Sequence, residues 1–305
     1  MSLLPSRPSF EVQKHNDTTS LSTARIAATQ KTERFDPVKI IRYRDKNGDS
    51  GYAAENADGS VLRIEGDIFE DFEVTQDEVR VEKLLAPIVP SMIWCIGLNY
   101  RHHAKESGLR IPDYPVLFAK APSAVQHPGD PIEIPTRLKS AKVDFECELA
   151  VVIGKACKNI DRAQALDYVL GYTCSNDVSA RDWQLEKGGT QWCRGKTFDT
   201  FAPLGPCLVT KEDIPNPNSL RIQTVLNGQV MQNWSTVDMI FDVPALIEFL
   251  AGSTTLSPGT VIMTGTPHGV GFARKPPVWL KAGDEISIVI EKIGTLTNPV
   301  AEEPS

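Results

Sequence analysis

Val143-Asp144-Phe145-Glu146-Cys147-Glu148-Leu149-Ala150-Val151-Val152-Ile153-Gly154 is the stretch from which both fold and chemistry read outward. Beyond Glu148 it is apolar without interruption, so it enters a core as a buried strand. Side chains two apart in a strand share a face, roughly 6–7 Å apart along it. Asp144, Glu146 and Glu148 are therefore expected to project together from one end of that strand. Carboxylates crowded there must be protonated, paired with bases or bound to a cation, and one divalent ion would satisfy all of them.

The chain has 305 residues, 41% hydrophobic and 23% charged, which suits a globular protein with one main domain and a smaller one. A net charge of −7 with no basic stripe argues against a nucleic-acid partner. No apolar run approaches the roughly 20 residues that span a bilayer, so no membrane partner is expected. Six cysteines without CxxC spacing read as free thiols in an intracellular compartment, cytoplasmic or mitochondrial. Residues 1–36 lack periodicity and read as a flexible or strapping arm. Its basic residues would suit an import signal, but Glu11, Asp17 and Glu33 would not.

Residues 37–65 alternate apolar and polar between Gly-rich turns, which predicts a small N-terminal β domain over 37–90 that ends in a Pro-punctuated linker. Residues 91–305 form the second, catalytic body. There, Asn227-Gly228 predicts a type I′ hairpin, and Ile286, Ile288 and Ile290 share one strand face. Short helices are expected over 162–169, 179–187 and 242–250, the last capped by Asp242, opened by Pro244 and stopped by Gly252. With no βαβ rhythm and no internal repeat, the fold class is α+β, strand-dominated.

Four further clusters bear on chemistry. Asp177 stands where an apolar strand meets a helix start; it is either a helix cap or a third carboxylate beside Glu146 and Glu148. Three carboxylates with room for water and substrate suit Mg²⁺ or Mn²⁺ rather than zinc. Lys196, in Arg194-Gly195-Lys196-Thr197, either balances that charge, holds a substrate oxyanion, or is a solvated loop lysine. Asn99 can cap a short helix ending at Gly108, on which His103 and Glu106 fall at i and i+3. That pair is either a proton-transfer dyad on a lid or a surface ion pair. Thr264-Gly265-Thr266-Pro267 offers backbone N–H groups for an anion nest, though such turns are commonplace. There is no GxSxG and no His-paired cysteine, so a covalent nucleophile is not indicated.

Taken together, Gly97-Leu98-Asn99-Tyr100 with His103 and Glu106, Pro115–Lys120, Asp144–Leu149, Asn176–Asp182, Gly195–Asp199 and Thr264–Pro267 resemble the fumarylacetoacetate hydrolase family over roughly residues 92–300. Gly195–Gly205 and Arg274–Val278 look closest to its domain-containing protein 2 branch. The resemblance implies a mixed β-sandwich roll, assembled as a homodimer, acting on a small-molecule 2-oxo acid. It implies Mg²⁺ or Mn²⁺ on Glu146, Glu148 and Asp177, with His103, Glu106 and Lys196 catalytic. Gln184, Thr266, Arg181 and Tyr172 would bind substrate, and His268, a departure from the family pattern, would border the pocket. The activity it favours is oxaloacetate keto–enol tautomerisation. Its alternatives are acylpyruvate or 1,3-diketone hydrolysis with oxaloacetate decarboxylation, a biosynthetic β-dicarbonyl enzyme, or a catalytically silent 2-oxo-acid binder.

Overall fold

The computed structural model describes residues 39–304, so the arm over 1–36 lies outside the described residues. An antiparallel meander comes first: β1 (Lys39–Arg44), β2 (Ser50–Glu55), β3 (Val61–Gly66), β4 (Phe72–Glu78) and the short β5 (Lys83–Leu85). Next are β6 (Met92–Gly97), helix α1 (Arg101–Glu106), β7 (Val116–Lys120), β8 (Val125–Gln126), β9 (Ile132–Ile134) and β10 (Val143–Asp144). The centre is built by β11 (Cys147–Ile153), β12 (Val169–Asn176), β13 (Ser179–Ala180), α2 (Cys193–Lys196) and β14 (Ala202–Thr210). The chain closes with β15 (Arg221–Leu226), β16 (Gln229–Ser235), α3 (Val243–Ala251), β17 (Thr260–Met263), β18 (Glu285–Ile290) and β19 (Gly294–Glu302).

Ten of these strands lie in the order β4-β3-β2-β1-β14-β12-β11-β17-β6-β7, with β5 on β1 and β8 on β14. A second sheet runs β16-β15-β18-β19-β9, and β10 pairs only with β13. Most pairs are antiparallel, but β17 with β6, β14 with β8 and β19 with β9 are parallel, so the sheets are mixed. Strands dominate, as expected.

β11 sits in the middle of the large sheet with every residue buried. Leu149, Val151 and Ile153 face a core shared with α3 and the second sheet, through Leu246, Ile247, Ile222, Ile288 and Ile290. Ala150 and Val152 face the opposite core with Ile93, Cys95, Val261 and Met263. A strand covered on both faces cannot alternate with polar residues, which is why its sequence is an unbroken apolar run. Each large aliphatic side chain buried there contributes roughly 1.5–3 kcal/mol.

Two expectations change at this level. The meander does not stand apart: β1 pairs with β14, Lys39 opposite Val209, and Ile40, Ala54 and Ile64 pack into the core of the large sheet. The boundary expected near residue 90 therefore falls inside one compact unit of the described residues. The helix expected over 179–187 is also composite, since Ser179 and Ala180 pair with β10 before a π-helical turn at Trp183–Lys187. Elsewhere local chemistry holds. Asp242 accepts from Ala245 N at 3.0 Å and caps α3, and Asn227 and Gly228 take the positive φ values (50° and 77°) of the hairpin turn.

Candidate active site

The site forms where the central ladder ends. β11 and β12 pair with Glu148 opposite Ser175 and Cys147 opposite Asn176. One step further, Asp177 N donates to Glu146 O at 2.9 Å, and Glu146 N donates to Asn176 Oδ1 at 3.0 Å. Glu146 and Asp177 are thereby held across from each other. Glu148 follows Glu146 by two residues, and the three buried carboxyl groups offer oxygens within 4.8 Å of one another.

Asp144 is not in this group. The strand breaks at Phe145 because Asp144 Oδ1 accepts from Phe145 N at 2.8 Å and Gly271 N at 2.7 Å, while Oδ2 accepts from Phe272 N at 3.0 Å. Its Oδ2 also takes Arg181 Nη2 at 2.8 Å. The expectation of three acids along one continuous strand face thus gives way to Glu146 and Glu148 from β11 and Asp177 from the end of β12.

Cations surround the acids. Arg181 binds Asp144 and, through Nη2, Glu146 Oε1 at 2.6 Å, and its Nη1 donates to Gln184 Oε1 at 3.0 Å. Lys196 is no loop lysine: it is 2% exposed, and its Nζ lies 2.7 Å from both Glu146 Oε2 and Asp177 Oδ2. Lys120, which the sequence reading did not single out, meets the other Asp177 oxygen at 2.7 Å. Burial pushes the Glu146 carboxyl up, but Arg181 and Lys196 outweigh it and hold it well below the usual range. Glu148 behaves oppositely. Burial and the charges of Asp177 and Glu146 push it well above the usual carboxylate range, against Lys196 and a hydrogen bond from Gly265 N. Protonating Glu148 balances three carboxylates (Asp144, Glu146, Asp177) against Arg181, Lys196 and Lys120.

The turn after β17 serves this cluster from within. Gly265 N donates to Glu148 Oε2 at 2.8 Å, so the expected anion nest is taken by a side chain of the site itself. Gly265 adopts φ +94°, and a Cβ there would stand 2.7 Å from Asn99 Cβ. Thr266 Oγ1 donates to Cys147 O at 2.9 Å and accepts from Gln232 Nε2 at 2.8 Å. Gln232 is a second residue missed in sequence. It also accepts from Cys147 N at 3.0 Å, so it fixes the start of β11.

Helix α1 covers the mouth. His103 is buried, with Nδ1 2.8 Å from Glu106 Oε1, and Gly269 N donates to both Glu106 oxygens at 3.0 and 2.9 Å. The other end of α1 is tied down by Arg101 to Met239 O at 2.5 Å and by His102 N to Asp238 Oδ2 at 3.0 Å. Asn99 does not cap it. Its side chain donates to Thr264 O at 2.7 Å and accepts from Phe241 N at 2.9 Å, binding the root of the helix to the site.

A cavity of about 270 Å³ joins these parts, with His103, Glu146, Glu148, Arg181, Gln184, Lys196 and Thr266 on its wall. That is just below the roughly 300–1,000 Å³ of drug-sized pockets, which suits a small acid. Leu98, Leu109, Leu185, Trp192 and Phe272 form its apolar side. Tyr172 is not brought there. It points into the core beside Leu149 and Cys207, with a buried hydroxyl, because it stands five residues back along β12 from Asp177. His268 stays outside too, packed on Trp234 with ring centroids 4.8 Å apart.

The donor set fits a hard divalent cation. It is all oxygen, buried and crowded enough to force Glu148 toward its protonated form, which a cation would relieve. Comparisons with known proteins give the family. The family model for the fumarylacetoacetate (FAA) hydrolase C-terminal region matches residues 92–301. The chain is 52% identical over 218 residues to the oxaloacetate tautomerase fahd2, mitochondrial, of Xenopus laevis, covering 71% of this chain and 68% of the relative. It is 47% identical over 217 residues to the human oxaloacetate tautomerase FAHD2A, mitochondrial, with the same coverage of 71% and 68%. Among solved structures, the 2-hydroxyhepta-2,4-diene-1,7-dioate isomerase of Mycobacterium marinum superposes with a TM-score of 0.75 at 39% identity, covering 88% of this chain and 100% of its own. The fumarylacetoacetate hydrolase of Exiguobacterium antarcticum gives 0.78 at 37%, covering 87% and 100%. The chain belongs to the fumarylacetoacetate hydrolase family of enzymes.

Proposed function

We propose that this enzyme is a divalent-metal-dependent oxaloacetate keto–enol tautomerase. The observation that carries the reading is one small cavity lined by His103, Glu146 and Glu148, with Glu106 on the imidazole and Asp177 completing the buried carboxylate triad, and the names of the relatives support it. Mg²⁺ or Mn²⁺ held by Glu146, Glu148 and Asp177 would supply Lewis acidity toward a 2-oxo group and its carboxylate.

The chain's own residues do the rest. Glu106, fixed by Gly269 N, orients His103 through Nδ1 and leaves Nε2 to take a proton from C3 and return it at oxygen. Which nitrogen carries the proton follows from that bond, with Nδ1–H donating to the carboxylate. Lys196 reaches the same cavity as a buried ammonium and favours the negative charge that enolisation develops. Arg181 has its donors on Asp144, Glu146 and Gln184, so its part is to hold Glu146 and Gln184 in place. Leu98, Trp192 and Phe272 give the cavity an apolar side against which a small acid can pack.

Treatment with a chelator should reduce oxaloacetate tautomerisation to the uncatalysed rate, and Mg²⁺ or Mn²⁺ should restore it; activity that survives the chelator sinks the metal reading. Lys196→Met should cost the metal-free protein about 3–5 kcal/mol, because it leaves two buried carboxylates short of a partner. Added Mg²⁺ should then raise its melting temperature more than it raises the wild type's. Equal shifts in paired thermal melts would remove Lys196 from the cation balance.

The relatives are named mitochondrial, one of the two compartments expected for this chain, and cell fractionation decides between them. The homodimer also belongs to this proposal. Edge strand β7 carries exposed Leu117, and exposed Tyr114 lies 6.5 Å from exposed Phe249, which supports pairing of two copies along that face. A monomer mass by light scattering would remove it.

A further inference from the structure

Lys120 plays no part in the chemistry above. It closes β7, is 1% exposed and does not line the cavity. Its Nζ nevertheless lies 2.7 Å from Asp177 Oδ1 and donates to Val178 O at 2.9 Å, Phe201 O at 2.8 Å and the carbonyl of Lys196. Burial favours the neutral amine and pulls its pKa down, with Asp177 opposing. The geometry suits the charged form: all three hydrogen bonds of the amine go to carbonyl oxygens beside the Asp177 carboxylate, and a neutral amine would turn its lone pair on one of these acceptors.

Two lysines thus divide one carboxylate. Lys120 faces Oδ1 as an ion pair while its N–H donors go to the three carbonyls, and Lys196 donates to Oδ2 from the cavity side. Of the two, only Lys196 lines the cavity, and its Nζ spans Asp177 Oδ2 and Glu146 Oε2. Lys120 also grips the backbone of Lys196 itself, at the end of α2.

We propose that Lys120 is a fixed positioning residue. It stays paired by charge with Asp177 Oδ1, leaves Oδ2 to exchange between Lys196 and a divalent cation, and anchors the backbone from which Lys196 moves. The inference rests on the divalent-metal reading of the site. It carries a distinctive consequence. Removing Lys120 takes away a positive charge that opposes the cation and frees a second oxygen for it, so metal binding persists or tightens. At the same time Lys196 loses its anchor and the loaded site loses a charge that attracts an anionic substrate. A lysine that merely stabilised the fold would weaken metal and substrate binding together.

Lys120→Met tests this, with Mg²⁺ binding followed by calorimetry and kcat and KM measured on oxaloacetate. Expected are a Kd for Mg²⁺ equal to or below that of the wild type, a kcat about 10²-fold lower and a raised KM. Weaker Mg²⁺ binding, or an unchanged kcat, overturns the proposal. Should the variant not fold, the wild-type chain labelled with ¹⁵N-lysine and titrated with Mg²⁺ gives the answer. The Lys196 ammonium resonance should shift and that of Lys120 should stay; Lys120 shifting as far as Lys196, or neither shifting, contradicts the division of roles. Failure of the wild type to bind Mg²⁺ at all would instead remove the metal reading, and this inference with it.

Discussion

Glu148→Gln should abolish divalent-metal binding and turnover together while leaving the metal-free fold as stable as before, or more so. The reason is the environment of this one carboxyl. Burial and the neighbouring Asp177 and Glu146 charges already push it toward its protonated form, and a glutamine copies the shape and charge of that form. Gly265 N can go on donating to the amide oxygen in place of the carboxylate. What glutamine cannot do is ionise, so the third negative ligand is lost. Loss of Lewis acidity is worth several kcal/mol of barrier, at least about 10³-fold in rate. Glu146→Gln should look different. That carboxyl is ionised and paired with Arg181 and Lys196, so its loss strands two buried cations and costs about 3–5 kcal/mol of stability as well. Calorimetric titration with Mg²⁺ beside thermal melts separates the two variants. Tight Mg²⁺ binding by the Glu148 variant would contradict the ligand assignment. The same logic has a pH signature in the wild type. The cation takes the deprotonated Glu148, so Mg²⁺ affinity should fall as pH falls through that raised pKa.

His103→Ala should leave Mg²⁺ affinity intact and lower kcat by about 10²–10⁴-fold. The imidazole touches none of the three acids by hydrogen bond. Its partner is Glu106, which is itself held by the backbone of Gly269. The dyad is therefore mechanically separate from the triad, although His103, Glu146 and Glu148 line one cavity. Glu106→Gln should give a smaller loss than His103→Ala, since it disturbs the tautomer and the docking of α1 but spares the ring. A wild-type rate in the His103 variant would reduce the pair to a latch that fastens the helix over the mouth.

Much of this site could be read from the chain, and the reason is local. Glu146 and Glu148 stand out because acids at the mouth of an all-apolar strand have few stable arrangements. Asp177 stands out because a strand ends at it. Their meeting follows from one antiparallel ladder. What could not be read depends on contacts between distant segments. Asp144 looked like a third acid of the row, but Gly271 and Phe272, more than 120 residues away, claim its oxygens and break the strand. Lys120 ends an apolar strand and gave no sign that Asp177 and three carbonyls would surround it. Gln232 lay in an ordinary hairpin strand. Only its reach to Cys147 and Thr266 makes it part of the site.

The same distinction explains the fold. Turn and cap residues such as Asn227, Gly228 and Asp242 act within a few positions and did what their chemistry dictates. The domain boundary near residue 90 depended instead on whether β1 would find a partner elsewhere. It finds β14, 168 residues on by the pairing of Ile40 with Leu208, and the meander becomes one wing of the main sheet. Tyr172 shows the period-two rule at work. On a strand buried on both faces, nearness in sequence to Asp177 says nothing about which core a side chain enters.

The most direct test of the central claim follows enolic oxaloacetate by its ultraviolet absorbance, with and without Mg²⁺, while pyruvate is assayed in the same samples. The account predicts metal-dependent loss of the enol with no pyruvate beyond the uncatalysed level. Enol loss matched by accelerated pyruvate release, or no effect of enzyme on either signal, would contradict it.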